Sequence, residues 1–376
     1  MTIYKTAIYP FNEHAYPLLF HCDLIENLDI TQVIAFEGSG IENKEILDFR
    51  GRKHIVRSRI DCSNCEAIFL NLFDINEKFY GQIINLLKSL PNEDIKIFVD
   101  IDTYSEVIKS LKSYYKGQWV DYNKLNVNLK NYVLALEEDR KIDYLQFKRR
   151  EFKPVNASVI GICSTNENCM KFNTMLSLYR YFKEKGYSVA GIGSKDYSGI
   201  FDLLSFQKEI FNLNLTGFER ICRFMEIINT IDRKYSPDIV LVAMPGEIVP
   251  ISSKHHGDYG ILATELFSVL KCDQLVLNLG YSSDYNTKFL QELSNICRYK
   301  LNNNVSQFAI SNKMIFPQSL NEKELSYVDI TSTDKSIDIL NQDNYSVFYI
   351  SNKSEMENLA KSVERNLLLM GNAVFM

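Results

Sequence analysis

Short apolar stretches alternate with amphipathic stretches along the first 150 residues. Runs rich in Ile, Val and Phe predict strands, and apolar residues at helical spacing predict helices between them. The predicted strands are Lys5–Tyr9, Gln32–Phe36, His54–Val56, Ala67–Leu72 and Ile95–Asp100, and the predicted helices are Tyr16–Glu26, Asn76–Ser89 and Tyr104–Tyr114. This alternation predicts a parallel sheet with helices on its faces.

A second run of strands and helices begins near residue 155, after a charged stretch that includes a predicted helix, Leu129–Arg140, and ends in Pro154. The predicted strands are Ser158–Cys163, Tyr187–Ile192, Asp238–Ala243, Gln274–Leu279 and Gln307–Ile310, and the predicted helices are Lys171–Lys185, Gly217–Lys234, Gly260–Leu270 and Tyr285–Tyr299. We interpret residues 1–150 as a Rossmann-like α/β domain and residues 155–316 as a second α/β domain. We expect residues 317–376, with a predicted strand Tyr345–Ile350 and helix Lys353–Leu369, to form a carboxy-terminal extension packing on the second domain, with a small third domain as the alternative.

The loop after the first strand of the second domain stands where a P-loop protein holds phosphate. We expect Gly161 to end the strand and Lys171 to open the helix. The motif requires Gly before the Lys and Ser or Thr after it, whereas this chain has Met170 and Phe172. Ten positions separate Gly161 from Lys171, against six in the motif. The sequence therefore predicts a degenerate P-loop-like domain whose nucleotide chemistry is altered or lost.

Polar side chains crowd this loop and the next strand end. Ser164, Thr165 and Asn168, with the helix amino terminus that follows, are candidates for binding an anion. A solvated loop in which Asn168 caps the helix is the alternative. Gly193 and Lys195 follow the next strand, and parallel strands end at one edge of a sheet, so we expect them beside the loop.

The segment after strand Asp238–Ala243 contains the best candidates for proton transfer. We predict catalytic roles for Glu247, His255 and His256, and a ligand-binding role for Asp258. Adjacent His residues on an extended segment point in opposite directions, so the pair is not expected to bind one metal. The alternative is an exposed loop without chemistry.

Composition limits the classes of partner. The net charge of -5 gives no general attraction to nucleic acid or to an anionic membrane, and the basic stretch Lys148–Arg150 fits a solvated linker. No signal peptide and no apolar run of membrane-spanning length is seen, so we expect a cytoplasmic protein. Cys62 and Cys65 form a CxxC pair without a second pair, so we predict no metal site, with a metalloprotein as the alternative.

The chain resembles two families. The stretch Val159–Lys185 with Gly191–Gly193 resembles the carboxy-terminal domain of the P-loop family that contains D-glutamate N-acetyltransferases, which also has a Rossmann-like amino-terminal domain. Ile8–Asn12, Met244–Gly246 and Asp258–Glu265 resemble a family of clostridial peptide-maturation-system proteins, encoded beside Cys-rich ribosomal peptides. The second resemblance implies a pathway context and no particular catalytic residue.

Two hypotheses about function follow. The first is a cytoplasmic protein of ribosomal-peptide maturation that binds a small anionic ligand or peptide at Cys163–Lys171 and, as an enzyme, transfers an acyl or other group. The second is a non-catalytic scaffold that binds a precursor peptide or partner enzymes. The sequence defines neither a cofactor nor an oligomeric state.

Overall fold

The structure is a computed structural model, and it describes residues 3–73, 77–91, 94–122, 154–206, 210–211, 215–330, 345–350 and 353–373, without the side chains at 77, 78, 258 and 371–373. The chain divides into two compact units. Unit 1 comprises Met1–Asn131 and Asp196–Asp202, and unit 2 comprises Tyr132–Lys195 and Leu203–Met376. The predicted helix Leu129–Arg140 lies outside the described residues, as do residues 123–153 before the predicted domain boundary near residue 155.

Unit 1 contains a seven-stranded sheet in the order β3-β4-β2-β1-β5-β6-β7, parallel except for the β3–β4 pair. Its strands are β1 (Tyr4–Tyr9), β2 (Leu28–Ile34), β3 (Glu45–Leu47), β4 (Lys53–Arg57), β5 (Ala67–Leu70), β6 (Lys96–Val99) and β7 (Trp119–Asp121), and its helices are α1 (Tyr16–Phe20), α2 (Glu77–Ser89) and α3 (Ser105–Leu111). Ile83 and Leu87 of α2 pack with Ile68 and Ile97 in its core. The predicted helix Tyr16–Glu26 is shorter than expected, because the chain leaves α-geometry at His21 and forms a 3₁₀ turn over Cys22–Leu24.

Unit 2 contains a second seven-stranded sheet, ordered β10-β9-β11-β8-β12-β13-β16, whose pairs are all parallel. Its strands are β8 (Ser158–Ser164), β9 (Val189–Gly193), β10 (Leu204–Ser205), β11 (Ile239–Ala243), β12 (Gln274–Leu279), β13 (Gln307–Ile310) and β16 (Ser346–Tyr349), with a separate hairpin of β14 (Lys313–Ile315) and β15 (Tyr327–Asp329). The helices are α4 (Lys171–Glu184), α5 (Gly217–Tyr235), α6 (Ile261–Phe267), α7 (Thr287–Lys300) and α8 (Lys353–Ala373). The α/β fold class predicted from the sequence is confirmed.

The carboxy-terminal segment is part of unit 2. Strand β16 pairs with β13, and α8 packs on α4. Hydrogen bonds between these helices run from Ser177 Oγ to Met356 Sδ (3.0 Å) and from Tyr181 OH to Glu364 Oε2 (2.6 Å). The segment thus completes the sheet edge and covers one side of α4.

Strand β8 occupies the centre of the second sheet. The chain leaves β8 toward β9 on one side, and it leaves β12 toward β13 on the other. Open parallel sheets bind ligands beyond the carboxyl ends of two strands whose connections diverge in this way. Ser164 ends β8 and is the register partner of Asn278 in β12, so these two residues mark that position.

Candidate functional site: the loop after strand β8

The prediction that Gly161 ends the first strand of this unit is wrong. Strand β8 pairs with both β11 and β12 and continues to Ser164, three residues further. A Cβ at Gly161 would lie 2.6 Å from Cys272 Sγ and 3.0 Å from Leu275 Cδ1. Gly161 therefore permits close packing inside the sheet layer, and it lies in the strand, away from the ligand-binding loop.

The loop itself has the length of a phosphate-binding loop. Residues 165–170 separate the end of β8 from Lys171, the first residue of α4. These six positions match the six that precede Lys in the P-loop motif, with Thr165 and Met170 in the places of its two glycines. Met170 has φ 57°, a left-handed conformation that favours glycine and costs another residue about 1–2 kcal/mol. The prediction of an altered spacing, counted from Gly161, is therefore wrong, because the loop has the length of the motif. The left-handed backbone turn before the lysine is also present, with Met170 instead of glycine.

Lys171 is a buried cation at the amino end of α4. Its side chain is 5% exposed, and Nζ donates a hydrogen bond to the backbone O of Gly246 (2.8 Å), in the turn that follows β11. Burial lowers the pKa of Lys171 to about 8, with Glu167 acting in the opposite direction and Lys195 in the same one. The ammonium is therefore largely removed from water, and a nearby anion would stabilise its charged form and raise its pKa.

The floor beneath the loop is polar. Asn278 Nδ2 donates to Cys169 O (2.9 Å) and to Thr174 Oγ1 (2.7 Å), which joins the end of β12 to the loop and to α4. Among the described residues, neither Ser164 Oγ nor Asn278 Oδ1 has a hydrogen-bond partner, although both residues are completely buried. Because buried polar groups are normally hydrogen-bonded, these two atoms indicate a position for a bound ligand group or water.

Glu247 and the two histidines lie in the segment after β11. The Glu247 carboxylate is buried against the backbone of Gly257, where it leaves no room for a Cβ. It also acts electrostatically on the thiol of Cys169, whose pKa burial raises to about 12. The charge of Glu247 therefore acts on the loop through Cys169.

The histidines differ from each other. The Nε2 atom of His255 is buried and has no partner among the described residues. His256 is exposed and its ring stacks on Tyr259, with 5.0 Å between the ring centroids. Lys300 of α7 holds this segment by donating to the backbone O atoms of Ile248 (3.1 Å) and Tyr259. The side chain of Asp258 lies outside the described residues.

The loop after β9 provides a second cation. Gly193 ends β9 and pairs with Ser205, whose Oγ donates to the backbone O of Lys195 (3.0 Å). The charge of Lys195 acts on Lys171, so the two lysines belong to one electrostatic environment. Asp196, the next residue, belongs to unit 1, where it accepts a hydrogen bond from Tyr104 OH (2.8 Å).

Lys171, Lys195 and Glu247 thus follow strands β8, β9 and β11, and electrostatic interactions link Lys195 to Lys171 and Glu247 to Cys169. Thr165 lies within the loop, its Oγ1 3.9 Å from Cys169 Sγ, and the backbone N of Asn168 donates to Asn166 Oδ1 (3.2 Å). The alternative in which Asn168 caps the helix is wrong, because the cap residue is Met170, which makes no side-chain cap hydrogen bond. Sequence reasoning missed Asn278, whose only signal was one polar residue inside the apolar strand Gln274–Leu279.

One group of potential metal ligands occurs among the described residues. Atoms of Cys22, Asp48 and His54 lie within 4.8 Å of one another. The guanidinium of Arg52 lies in the same group, donating from Nε to Asp48 Oδ2 (2.6 Å) and from Nη2 to Cys22 Sγ (3.0 Å). Burial raises the pKa of Cys22 to about 11, so its thiol is protonated. The group is therefore an ion-pair cluster in which the guanidinium of Arg52 provides the positive charge that a metal ion would otherwise supply.

None of the helices in the described part of the chain is long and apolar enough to cross a membrane.

No protein-family model and no curated protein matches this chain. A solved structure of a DUF1611 family protein from Anabaena variabilis is similar over 96% of this chain and 99% of its own, with a TM-score of 0.56 and 10% sequence identity. An ADP-bound nucleotide-binding protein from Archaeoglobus fulgidus matches 54% of this chain and 85% of its own, with a TM-score of 0.29 and 10% identity. A GTPase from Pyrococcus abyssi matches 56% of this chain and 98% of its own, with a TM-score of 0.32 and 16% identity. The first similarity shows the fold alone, which this chain shares with the DUF1611 family protein.

Proposed function

We propose that unit 2 binds a small ligand through an anionic group at the loop of residues 165–170, with Lys171 as the main binding residue. The observation that carries this proposal is the buried ammonium of Lys171, the first residue after a loop that has the length of a P-loop. A buried charge is costly unless it is paired. An anion in the loop would supply that pairing.

Three further features support an anion at this position. Helix α4 points its amino terminus at the loop, and helix amino termini favour negative charge. The hydroxyl of Ser164 is a buried donor without a partner among the described residues. The loop also lies where parallel sheets bind ligands, beyond the diverging strands β8 and β12.

The biological setting is also a proposal, and it rests on the sequence. The short motifs at Ile8–Asn12, Met244–Gly246 and Asp258–Glu265 support a cytoplasmic protein of ribosomal-peptide maturation, with a precursor peptide or maturation enzymes as partners. As an enzyme it would transfer an acyl or other group, with Lys171 stabilising negative charge and His255 moving a proton. Its buried Nε2 favours His255 over the exposed His256.

A non-catalytic scaffold is the second candidate. Phe172 occupies the place of the motif's metal-binding hydroxyl and is 2% exposed, so that position now serves the core. Such a domain would keep its fold while binding a peptide or a partner enzyme.

Calorimetric titration of the full chain with inorganic phosphate, ATP, GTP and acetyl-CoA tests anion binding. Lys171→Met removes the charge but keeps an apolar stem of similar length, so the fold should be retained. Lys183→Ala is the matched control, because Lys183 is an exposed lysine at the other end of α4. We expect saturable binding that is lost in Lys171→Met and retained in Lys183→Ala. Absence of saturable binding by every probe would overturn the proposal.

A further inference from the structure

Charged side chains of both signs act on the loop. Lys171 is a cation that interacts electrostatically with Lys195 and Glu167, and the Glu247 carboxylate acts on the thiol of Cys169. A phosphate monoester already carries about −1.5 to −2 charges at pH 7, and a triphosphate carries more. P-loop proteins offset the charge of a triphosphate with a divalent cation, so a loop without a site for that cation favours an anion of lower charge.

The two positions that hold Mg²⁺ in P-loop proteins lack oxygen ligands. Phe172 replaces the motif hydroxyl and is buried in the core. The next hydroxyl, Thr174 Oγ1, already accepts a hydrogen bond from Asn278 (2.7 Å) and donates one to the backbone O of Met170 (3.3 Å). Strand β11 ends at Ala243 and Met244 follows it, where a carboxylate would be required. Glu247, the next carboxylate along the chain, packs against Gly257.

We propose, on the basis of the anion site proposed above, that this loop takes a ligand with a single anionic group of low charge, a carboxylate or a phosphate monoester, and that it does so without a divalent metal. Lys171 contacts the anion directly, and Ser164 Oγ provides a donor from below. Glu247 then acts as a like charge beside the ligand, so its carboxylate weakens binding.

Two measurements on the full chain test this inference. In the first, inorganic phosphate is titrated with excess Mg²⁺ and with EDTA, and ATP is titrated under the same two conditions. We expect phosphate affinity to agree within about twofold between the two conditions, and ATP to bind no more tightly with Mg²⁺ than without it. ATP binding that requires Mg²⁺ and is lost in Lys171→Met would overturn the low-charge ligand while leaving the anion site intact. Absence of phosphate binding under both conditions would overturn this inference, and the anion site itself would be overturned only if ATP, GTP and acetyl-CoA also failed to bind.

The second measurement uses Glu247→Gln, which removes the charge and keeps the shape of the side chain. We expect this variant to bind phosphate about threefold more tightly, because it removes a like charge beside the anion. If Glu247 instead held a metal that bridges to the ligand, Glu247→Gln would weaken binding and make it insensitive to Mg²⁺. Glu322→Gln, at an exposed position, is the control for the loss of one negative charge from the chain.

Discussion

Asn278 donates a hydrogen bond from Nδ2 to Oγ1 of Thr174 at 2.7 Å, within the completely buried floor of the loop. The same Nδ2 donates to the backbone O of Cys169 at 2.9 Å. One amide group thereby connects a central strand, the last turn of the loop and the first turn of α4. The position of Lys171, between Cys169 and Thr174 in the chain, depends on this connection.

Asn278→Ala should destabilise unit 2 by about 2–4 kcal/mol, because it leaves the buried carbonyl of Cys169 and the hydroxyl of Thr174 without this donor. Chemical denaturation followed by circular dichroism measures the free energy of unfolding. Asn304→Ala, at an exposed asparagine, is the matched control and should change stability by less than about 0.5 kcal/mol. Equal effects of the two substitutions would show that the amide does not hold the loop.

Met170 adopts the left-handed conformation that favours glycine, with φ 57°. Met170→Gly and Met170→Ala both remove the side chain beyond Cβ, so a comparison of the two isolates the backbone strain. We expect the glycine variant to be more stable than the alanine variant by about 1 kcal/mol, measured as a difference in unfolding free energy. At a right-handed position the order would reverse, since alanine is there favoured over glycine.

Gly161→Ala tests the corrected role of Gly161. The new Cβ would lie 2.6 Å from Cys272 Sγ, so we expect a loss of about 1–3 kcal/mol in unfolding free energy and no direct effect on the loop. Gly81→Ala is the control, because a Cβ there meets nothing within 4 Å and alanine favours α2 by about 0.5–1 kcal/mol. If Gly161→Ala instead lost anion binding with unchanged stability, Gly161 would belong to the ligand site after all.

The periodicity of the sequence was sufficient to predict the α/β fold class and the central strands of both units. Ile239–Ala243 is buried at all five positions, and such continuous apolar runs are typical of a parallel sheet. Short edge strands such as Glu45–Leu47 and Leu204–Ser205 were not predicted, because two or three residues contain no period. The sequence of Asp196–Asp202 also does not indicate that this segment belongs to unit 1, because the assignment depends on contacts with residues far away in the chain.

The position of Lys171 at the start of a helix after a polar loop could also be predicted, because the order of strand, loop and helix can be read from the local sequence. The predicted length of the loop is wrong, because pairing with β12 extends the strand beyond Gly161 to Ser164. The contacts of Asn278 and the hydrogen bond from Lys171 to Gly246 join distant parts of the chain, so no spacing in the sequence could reveal them.

The buried ammonium of Lys171 should make stability depend on pH. Burial lowers its pKa from 10.5 to about 8. Below about pH 8 both folded and unfolded chains carry the proton, and folding bears the full cost of burying the charge. Between about pH 8 and 10.5 the unfolded chain binds more protons than the folded one, so this contribution to stability rises with pH.

Lys171→Met removes that cost, so the variant should be more stable than the wild-type protein by about 1–3 kcal/mol at pH 7. The difference should shrink as the pH approaches 10.5, where the wild-type lysine is neutral in both states. Comparing the two proteins at each pH cancels the titration of their tyrosines. Lys183→Met, at an exposed lysine of the same helix, should show a small difference that does not vary with pH. A flat profile for Lys171→Met as well would mean that the ammonium remains hydrated, and the basis for an anion site at this loop would be lost.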